Sequence, residues 1–327
     1  MSTVRQALQS VLDESGGAMP FDVFMGIALH HAGDGYYARN IRGIGTRGDF
    51  TTVPQVTPAL GHAVTGWLRA EAAARGWKSY AVIECGPGDG SLAEGVMKSF
   101  GWLERRRLSL HLVETSNPLR TQQARRLGRK AVWHETIAEA LAACDGRALI
   151  YHNEFFDAFP CRVFRRQAGA WTELHLKVAG GRLTEAFLSP QRPRPDSGVF
   201  RRDWPEEQRV EVFASARDWM RELSASWHAG AMLALDYGGT TAEIFHRRPG
   251  GTLRAYRGQQ RLTGEAVCDM PGRQDITADV NFEDLAQWAS ELGWSVGPSK
   301  SLGEFVGGAE LRDAGAAFRA LTLSRRM

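Results

Sequence analysis

Three groups of residues have types and spacings suited to chemistry. The first is Glu84-Cys85-Gly86-Pro87-Gly88-Asp89-Gly90, between a short apolar run and a helical pattern. Glycines at alternate positions permit a tight turn and close approach of a ligand to the backbone. The helix that follows offers unbonded N–H groups at its start. The second is Glu114, which closes the next apolar run, Leu108 to Glu114, with Thr115 beside it. A carboxylate about 20 to 30 residues beyond a glycine turn is placed to accept hydrogen bonds from both hydroxyls of a ribose. Trp133-His134-Glu135, after a third run, stand where a nucleobase would be sandwiched or hydrogen-bonded, although Trp133 reads equally as core. The third group lies in Tyr151 to Pro160, where Asn153, Glu154 and Asp157 cluster beyond a fourth run. Its phenylalanines read as the core face of a short helix with Asn153 as cap, but that account leaves the clustered acids unexplained. A dehydrogenase turn is disfavoured: Gly86 and Gly88 match its phosphate-binding pattern, yet Ser91 stands at the third glycine.

The elements that must position these groups alternate. Tyr80 to Glu84 reads as a strand, Leu92 to Phe100 as a helix and Leu108 to Glu114 as a strand, followed by a helix through Arg126. Further strands are expected at Lys130 to Trp133, Ala148 to Tyr151 and Met232 to Tyr237. Such alternation implies an α/β fold, a mostly parallel sheet with helices on both faces, whose ligands bind at the carboxyl ends of the strands. Before it, residues 1–76 read as a helical cap. Val4, Leu8, Val11 and Leu12 have helical spacing, as do Phe21, Phe24, Met25, Ala28 and Leu29. The cap includes a glycine-rich stretch around Asp49, Gly43 to Thr52, suited to a loop packed against a ligand. Residues 77–327 form the main domain, interrupted at about 165–209 by an insertion. There Trp171 to Val178 and Arg182 to Leu188 read as a hairpin about Gly180-Gly181, followed by a loop with Pro190, Pro193 and Pro195.

Composition sets the outer bounds. The 327 residues are 43% hydrophobic and 24% charged, which excludes disorder, coiled coil and collagen. No apolar stretch is long enough for a membrane span, and Met1 to Ser10 lacks the pattern of a signal peptide, so a cytoplasmic protein is expected. Cys85, Cys144, Cys161 and Cys268 are scattered without close pairs, and neither a metal site nor a disulfide framework is expected. The 35 arginines against five lysines fit a GC-rich bacterial genome. They are interleaved with acids, so no nucleic-acid partner is expected, and Glu104-Arg105-Arg106-Arg107 reads as a solvated helix end.

The glycine turn resembles the first motif of class I S-adenosylmethionine-dependent methyltransferases. The ordered run of motifs is similar to the MidA family, bacterial relatives of mitochondrial complex I assembly factors of the NDUFAF-seven type. The matching segments are Pro20-Phe21 with Gly35-Tyr36-Tyr37, Gly48 to Thr52 with Pro54, Glu84 to Gly90, and Val113 to Ser116 with Leu119-Arg120. They continue through Asn153 to Ala158, Leu235 to Gly238, Gly251 to Arg257 and Asp275 to Ala278. The chain departs from the family pattern at Gln55, in Gly258-Gln259-Gln260 where a histidine is usual, and after Gly303-Glu304-Phe305.

This resemblance implies S-adenosyl-L-methionine as cofactor, held by Glu84, Gly86, Pro87, Gly88, Gly90, Glu114, Thr115, Trp133, His134 and Asp49. It implies a protein substrate presenting an arginine, such as a respiratory-complex subunit, with the oligomeric state open. A guanidinium starts protonated and needs a carboxylate to orient it and draw charge from the attacking nitrogen. Glu154, similar in position to the glutamate-bearing loop of protein arginine methyltransferases, is the residue expected to hold the acceptor guanidinium, with Asn153 and Asp157 positioning it or touching the cofactor. A small-molecule methyltransferase and a non-catalytic assembly factor keeping the fold are the alternatives.

Overall fold

A computed structural model describes residues 3–40, 58–258, 260–307 and 317–326. The chain begins with α1 (Val4–Glu14), started by a reciprocal cap in which Thr3 accepts from the Gln6 N–H and Gln6 accepts from the Thr3 N–H. Val4, Leu8 and Leu12 repeat every four residues and form its buried face. A two-residue strand β1 (Met19–Pro20) leads into α2 (Phe21–His30), which buries Phe21, Phe24, Met25, Ala28 and Leu29.

After α3 (Ala59–Ala74) the alternation expected from the sequence appears. In order come β2 (Tyr80–Cys85), α4 (Ser91–Ser99), the short α5 (Trp102–Arg105), β3 (Leu108–Val113) and α6 (Asn117–Leu127). Then follow β4 (Ala131–His134), α7 (Ile137–Ala142) and β5 (Arg147–Asn153). Strand β5 pairs parallel with β2, β2 with β3 and β3 with β4. Strand side chains alternate between faces, and here each face meets its own core. Leu149 and Tyr151 of β5 join Val82 on one side, whereas Ala148 and Ile150 join Ala81 and Ile83 on the other.

The region expected as a hairpin insertion is larger. Strands β6 (Arg162–Gln167), β7 (Ala170–Ala179), β8 (Arg182–Leu188) and β9 (Arg209–Val212) form an antiparallel sheet, which β1 joins by pairing Met19 with Leu176. The β7–β8 turn is at Gly180-Gly181, both at positive φ. A run of local alternation shows the hairpin, whereas the pairing of β6 with β9 across the proline loop, and of β1 with β7, depends on distant chain. Arg162 clasps Glu173 through two bonds of 2.7 Å and also donates to the Pro193 carbonyl. Arg192 reaches both Glu173 and Asp22 of α2.

Helix α8 (Ala214–Ser226) returns the chain to the main sheet at β10 (Ala229–Gly239), parallel to β5. Beyond it lie α9 (Thr241–Phe245), a small sheet of β11 (Arg254–Arg257), β12 (Gln260–Leu262) and β13 (Asp275–Thr277), then β14 (Val280–Asn281) and α10 (Phe282–Glu291). Strands β15 (Ser295–Val296) and β16 (Lys300–Ser301), α11 (Leu302–Val306) and β17 (Phe318–Arg325) follow. The last strand runs antiparallel to β10 and completes the order β15-β17-β10-β5-β2-β3-β4. No described helix is long and apolar enough to cross a membrane.

Candidate active site at the carboxyl ends of the strands

Strands β2, β3 and β5 end around one cavity of about 490 Å³. Its floor is the glycine turn, where Gly86, Gly88 and Gly90 all have positive φ, at 63°, 56° and 81°. At Gly86 a Cβ would stand 2.8 Å from the Phe155 ring, so both backbone conformation and the approach of β5's following turn require glycine. Gly90 is the left-handed cap that starts α4 and does not line the cavity. Pro87, Gly88 and Glu84 do line it. Glu84 is buried and accepts a 2.8 Å bond from the Tyr151 hydroxyl. Burial, with Asp89 nearby, pushes its carboxyl up to about 8.

Glu114 follows β3 and lines the cavity together with Thr115. One carboxylate oxygen accepts from the Ser116 N–H at 2.8 Å and the other from the Gln123 amide at 3.2 Å. Burial raises its pKa against the lowering effect of those donors. Trp133 and His134 are corrected by the structure, since neither lines the cavity. Trp133 packs against the core that contains Leu127 and donates to Gln123 at 2.9 Å, while His134 faces His111, with ring nitrogens 3.0 Å apart. The residues that reach the cavity here come one step later, Glu135, Thr136 and Ile137, because β4 continues through His134 before the chain turns.

At the end of β5, Asn153 and Glu154 line the cavity. Glu154 has φ 52°, a left-handed conformation that costs a non-glycine residue about 1 to 3 kcal/mol and is kept only where the surroundings hold it. Its N–H donates to the Leu235 carbonyl at 3.0 Å, and Asn153 donates from its side-chain amide to the Glu154 carboxylate at 2.9 Å. The Asn153 side-chain oxygen is buried without a hydrogen-bond partner. Asp157 is corrected in part: it does not line the cavity, which leaves it the positioning role and not contact with a ligand. The 3-10 turn Phe156–Ala158 carries it behind the cavity wall, where it accepts from the Thr277 hydroxyl at 2.9 Å and burial pushes it up to about 6. Asp49, with the glycine-rich stretch Gly43 to Thr52, lies outside the described residues, as do Gln55 and Gln259.

Four further features were not assigned from the sequence. Asp236 of β10, fully buried, accepts from the N–H groups of Phe155, Phe156 and Asp157 at 2.9 to 3.3 Å, and so anchors the turn bearing Glu154. Phe155, Phe159 and Trp219 form an edge-to-face aromatic wall. His30 and Tyr37 bring the N-terminal segment into the cavity with stacked rings. His30 donates through Nε2 to the Ala158 carbonyl at 3.1 Å, and Tyr37 donates to Asp275 at 2.9 Å. Gln123 joins the glycine turn to Glu114. Asp236 and Tyr37 stand in runs that match the family pattern, which was the available signal; His30, Trp219 and Gln123 had none.

A parallel sheet closed by one long antiparallel strand, with a glycine turn after β2 and a buried acid after β3, defines the class I methyltransferase fold. The model of the family described as putative S-adenosyl-L-methionine-dependent methyltransferase matches residues 59–298, and the chain belongs to that family. It is 29% identical over 309 residues to the mitochondrial protein arginine methyltransferase NDUFAF7 of Danio rerio, covering 84% of this chain and 69% of that protein. The Mus musculus protein of the same name is also 29% identical, over 87% of this chain and 69% of its own length. The fold is shared with a COG1565 superfamily member and likely methyl transferase from Burkholderia thailandensis, a structure bound to S-adenosyl-homocysteine. There the TM-score is 0.86 at 24% identity, over 98% of this chain and 92% of that one.

Proposed function

We propose that this S-adenosylmethionine-dependent methyltransferase modifies arginine in a protein substrate. The observation that carries the reading is Glu154, held at a strained backbone position by Asn153 and the β10 backbone, and opening on the same cavity as the glycine turn and Glu114. The named function of the relatives supports it. The residues fit the cofactor: Gly86 and Gly88 let the backbone approach a ligand, Glu114 presents a carboxylate for ribose hydroxyls, and the orphaned Asn153 oxygen is an acceptor awaiting a donor.

When bound, the cofactor supplies a methyl group on a positively charged sulfur that leaves as a neutral thioether. This chain's residues then have to bind, orient and exclude water. Glu114 and the glycine turn would hold the nucleoside part, and Thr115 and Ile137 line the cavity beside them. Glu154 pairs with the guanidinium of the acceptor and fixes its plane, the proton that the methylated nitrogen gives up passes to the Glu154 carboxylate and on to water, and the wall of Phe155, Phe159 and Trp219 takes the apolar stem. Asp157 and Asp236 act on the turn that carries Glu154, not on the substrate. A bacterial, cytoplasmic setting belongs to the same proposal, supported by the arginine-rich composition and the scattered cysteines.

The test is incubation with methyl-labelled S-adenosylmethionine and a lysate of the host, followed by hydrolysis and amino-acid analysis of the labelled protein. Label in methylarginine, lost with Glu154→Gln, is the expected result. Label confined to small molecules, or transfer unchanged by E154Q, overturns the arginine reading.

A further inference from the structure

The buried face of α6 consists of Leu119, Gln123 and Leu127, spaced by four residues. Gln123 thus occupies a position that the pattern would give to a leucine, and it is fully buried. A primary amide in a core costs free energy unless every polar atom is satisfied, and this one is satisfied by two loops that line the cavity, at Gly88 and Glu114, and by the core residue Trp133. Its Nε2 donates to the Gly88 carbonyl at 2.7 Å and to the Glu114 carboxylate at 3.2 Å. Its Oε1 accepts from the Trp133 indole at 2.9 Å. A carbonyl only accepts and an indole N–H only donates, so the amide has a single chemically sensible orientation.

Neighbours on the same helix extend the clasp. Arg120 donates to the Glu114 carbonyl at 2.6 Å, and Arg126 bonds the Asp89 carbonyl and carboxylate at 3.1 and 2.9 Å. Residues 120, 123 and 126 succeed one another at three-residue spacing, so one helix side grips both cofactor loops. Gly90 packs against the Gln123 stem, where an added Cβ would meet Cγ at 3.3 Å.

We propose that Gln123 is a positioning residue for S-adenosylmethionine: one amide sets the separation between the glycine turn and Glu114, and presents the Glu114 carboxylate to the ribose. Gln123 itself does not line the cavity. Ser116 holds one carboxylate oxygen and Gln123 the other, and with the Thr115 N–H also favouring the anion the carboxylate still has lone-pair capacity for a ribose hydroxyl. The proposal rests on the assignment of Glu114 to the ribose.

Two consequences distinguish it from a simple packing role. Gln123 is one of the donors that favour the Glu114 anion against burial. Loss of that donor raises the pH at which Glu114 takes up a proton and lets go of the ribose. The other charged and titratable groups set around Glu114 are Arg120 on α6, whose charge favours the anion, His134 of β4, whose carbonyl accepts from the Glu114 N–H, and the acids Glu84, Asp89, Glu135 and Glu154, which line the same cavity. Second, the loss must depend on Glu114 being present.

The experiment is calorimetric titration with S-adenosylhomocysteine from pH 5.5 to 8.5, on wild type, Q123M, Q123E, E114Q and the double variant E114Q/Q123M. Met matches Gln in length, so Q123M keeps the helix face packed; circular dichroism and the thermal midpoint confirm folding. Expected for Q123M is an affinity about tenfold lower at pH 7.5, with its acid-side loss of affinity moved to higher pH. For Q123E the loss is greater at pH 8 and shrinks as the pH falls, because the introduced carboxyl regains a donor on protonation. In the E114Q background, Q123M should cost less than about threefold. Binding by Q123M within twofold of wild type at every pH overturns the proposal, as does the same fold-loss at every pH in both backgrounds. Unchanged affinity in E114Q alone overturns the ribose assignment instead, leaving the two failures distinguishable.

Discussion

Gly86, Glu84 and Glu114 show how little latitude the glycine-turn end of the cavity leaves. Gly86→Ala places a Cβ at positive φ and 2.8 Å from Phe155, adding strain of about 1 to 2 kcal/mol before Phe155 moves. The expected outcome is a lower thermal midpoint together with at least tenfold weaker S-adenosylhomocysteine binding; unaltered binding would show that the turn has room to spare. Glu84 gives a pH prediction. Its folded-state pKa, about 8, lies above the unfolded value, so the folded state binds more protons and stability falls as the pH rises between about 4.5 and 8. Glu84→Gln cannot ionise and can still accept from Tyr151. In thermal melts of the ligand-free protein, its midpoint should decline less over that window than the wild type's.

The turn after β5 is built by an element that does not contain it. Asp236, on β10, supplies one carboxylate oxygen to three successive N–H groups of that turn. Asp236→Ala leaves those groups unsatisfied, at about 1 to 3 kcal/mol each where burial is complete. Glu154 then loses its fixed direction, while the glycine turn keeps its own backbone bonds to Val113 and Pro87. The expected result is a destabilised protein that still binds S-adenosylhomocysteine within a few-fold but transfers methyl groups at least tenfold more slowly. Equal losses in binding and transfer would place the effect of Asp236 on the whole site. The same element logic explains why β10 holds a glycine at 230. Any Cβ there would be 1.8 Å from the Ala148 carbonyl, inside the parallel ladder that joins β10 to β5.

Across the whole molecule, the cavity is shared between the parallel sheet and the N-terminal segment. His30 and Tyr37 reach it because β1 is stitched to β7 and Arg192 holds Asp22 of α2. A chain beginning at Phe21 would unpair that edge of β7 and uncover the apolar face beneath α1, and exposed strand edges of that kind pair with one another. It should emerge from size-exclusion chromatography as soluble aggregate or fail to express in soluble form. A monodisperse, cofactor-binding product would contradict the shared architecture. Ligand binding should in turn stabilise the intact chain. S-adenosylhomocysteine at about 100 times its Kd contributes about 2.7 kcal/mol, a rise of several degrees in thermal midpoint.

The sequence by itself determined the parts whose physics is local. The glycine turn is legible because its backbone conformations admit few residues but glycine, and Glu114 because one βα unit sets its distance from that turn. The hairpin at Gly180-Gly181 and the buried faces of α1 and α2 follow from turn chemistry and apolar period alone. Glu154, at the end of β5, was legible as a cavity residue, but the neighbouring Asp157 was not distinguishable from it. A single 3-10 turn decides which of two nearby acids lines the cavity. Trp133 and His134 fail for a related reason: strand alternation gives the face of a side chain but not the residue at which the strand ends. Only the tertiary structure brought in Asp236, Gln123, His30 and Tyr37, since each meets its partner across a contact between elements. Alternation and helical spacing encode which side of an element is buried; they do not encode what waits on the other side, and a buried amide among leucines acquires its meaning only from the two loops it joins.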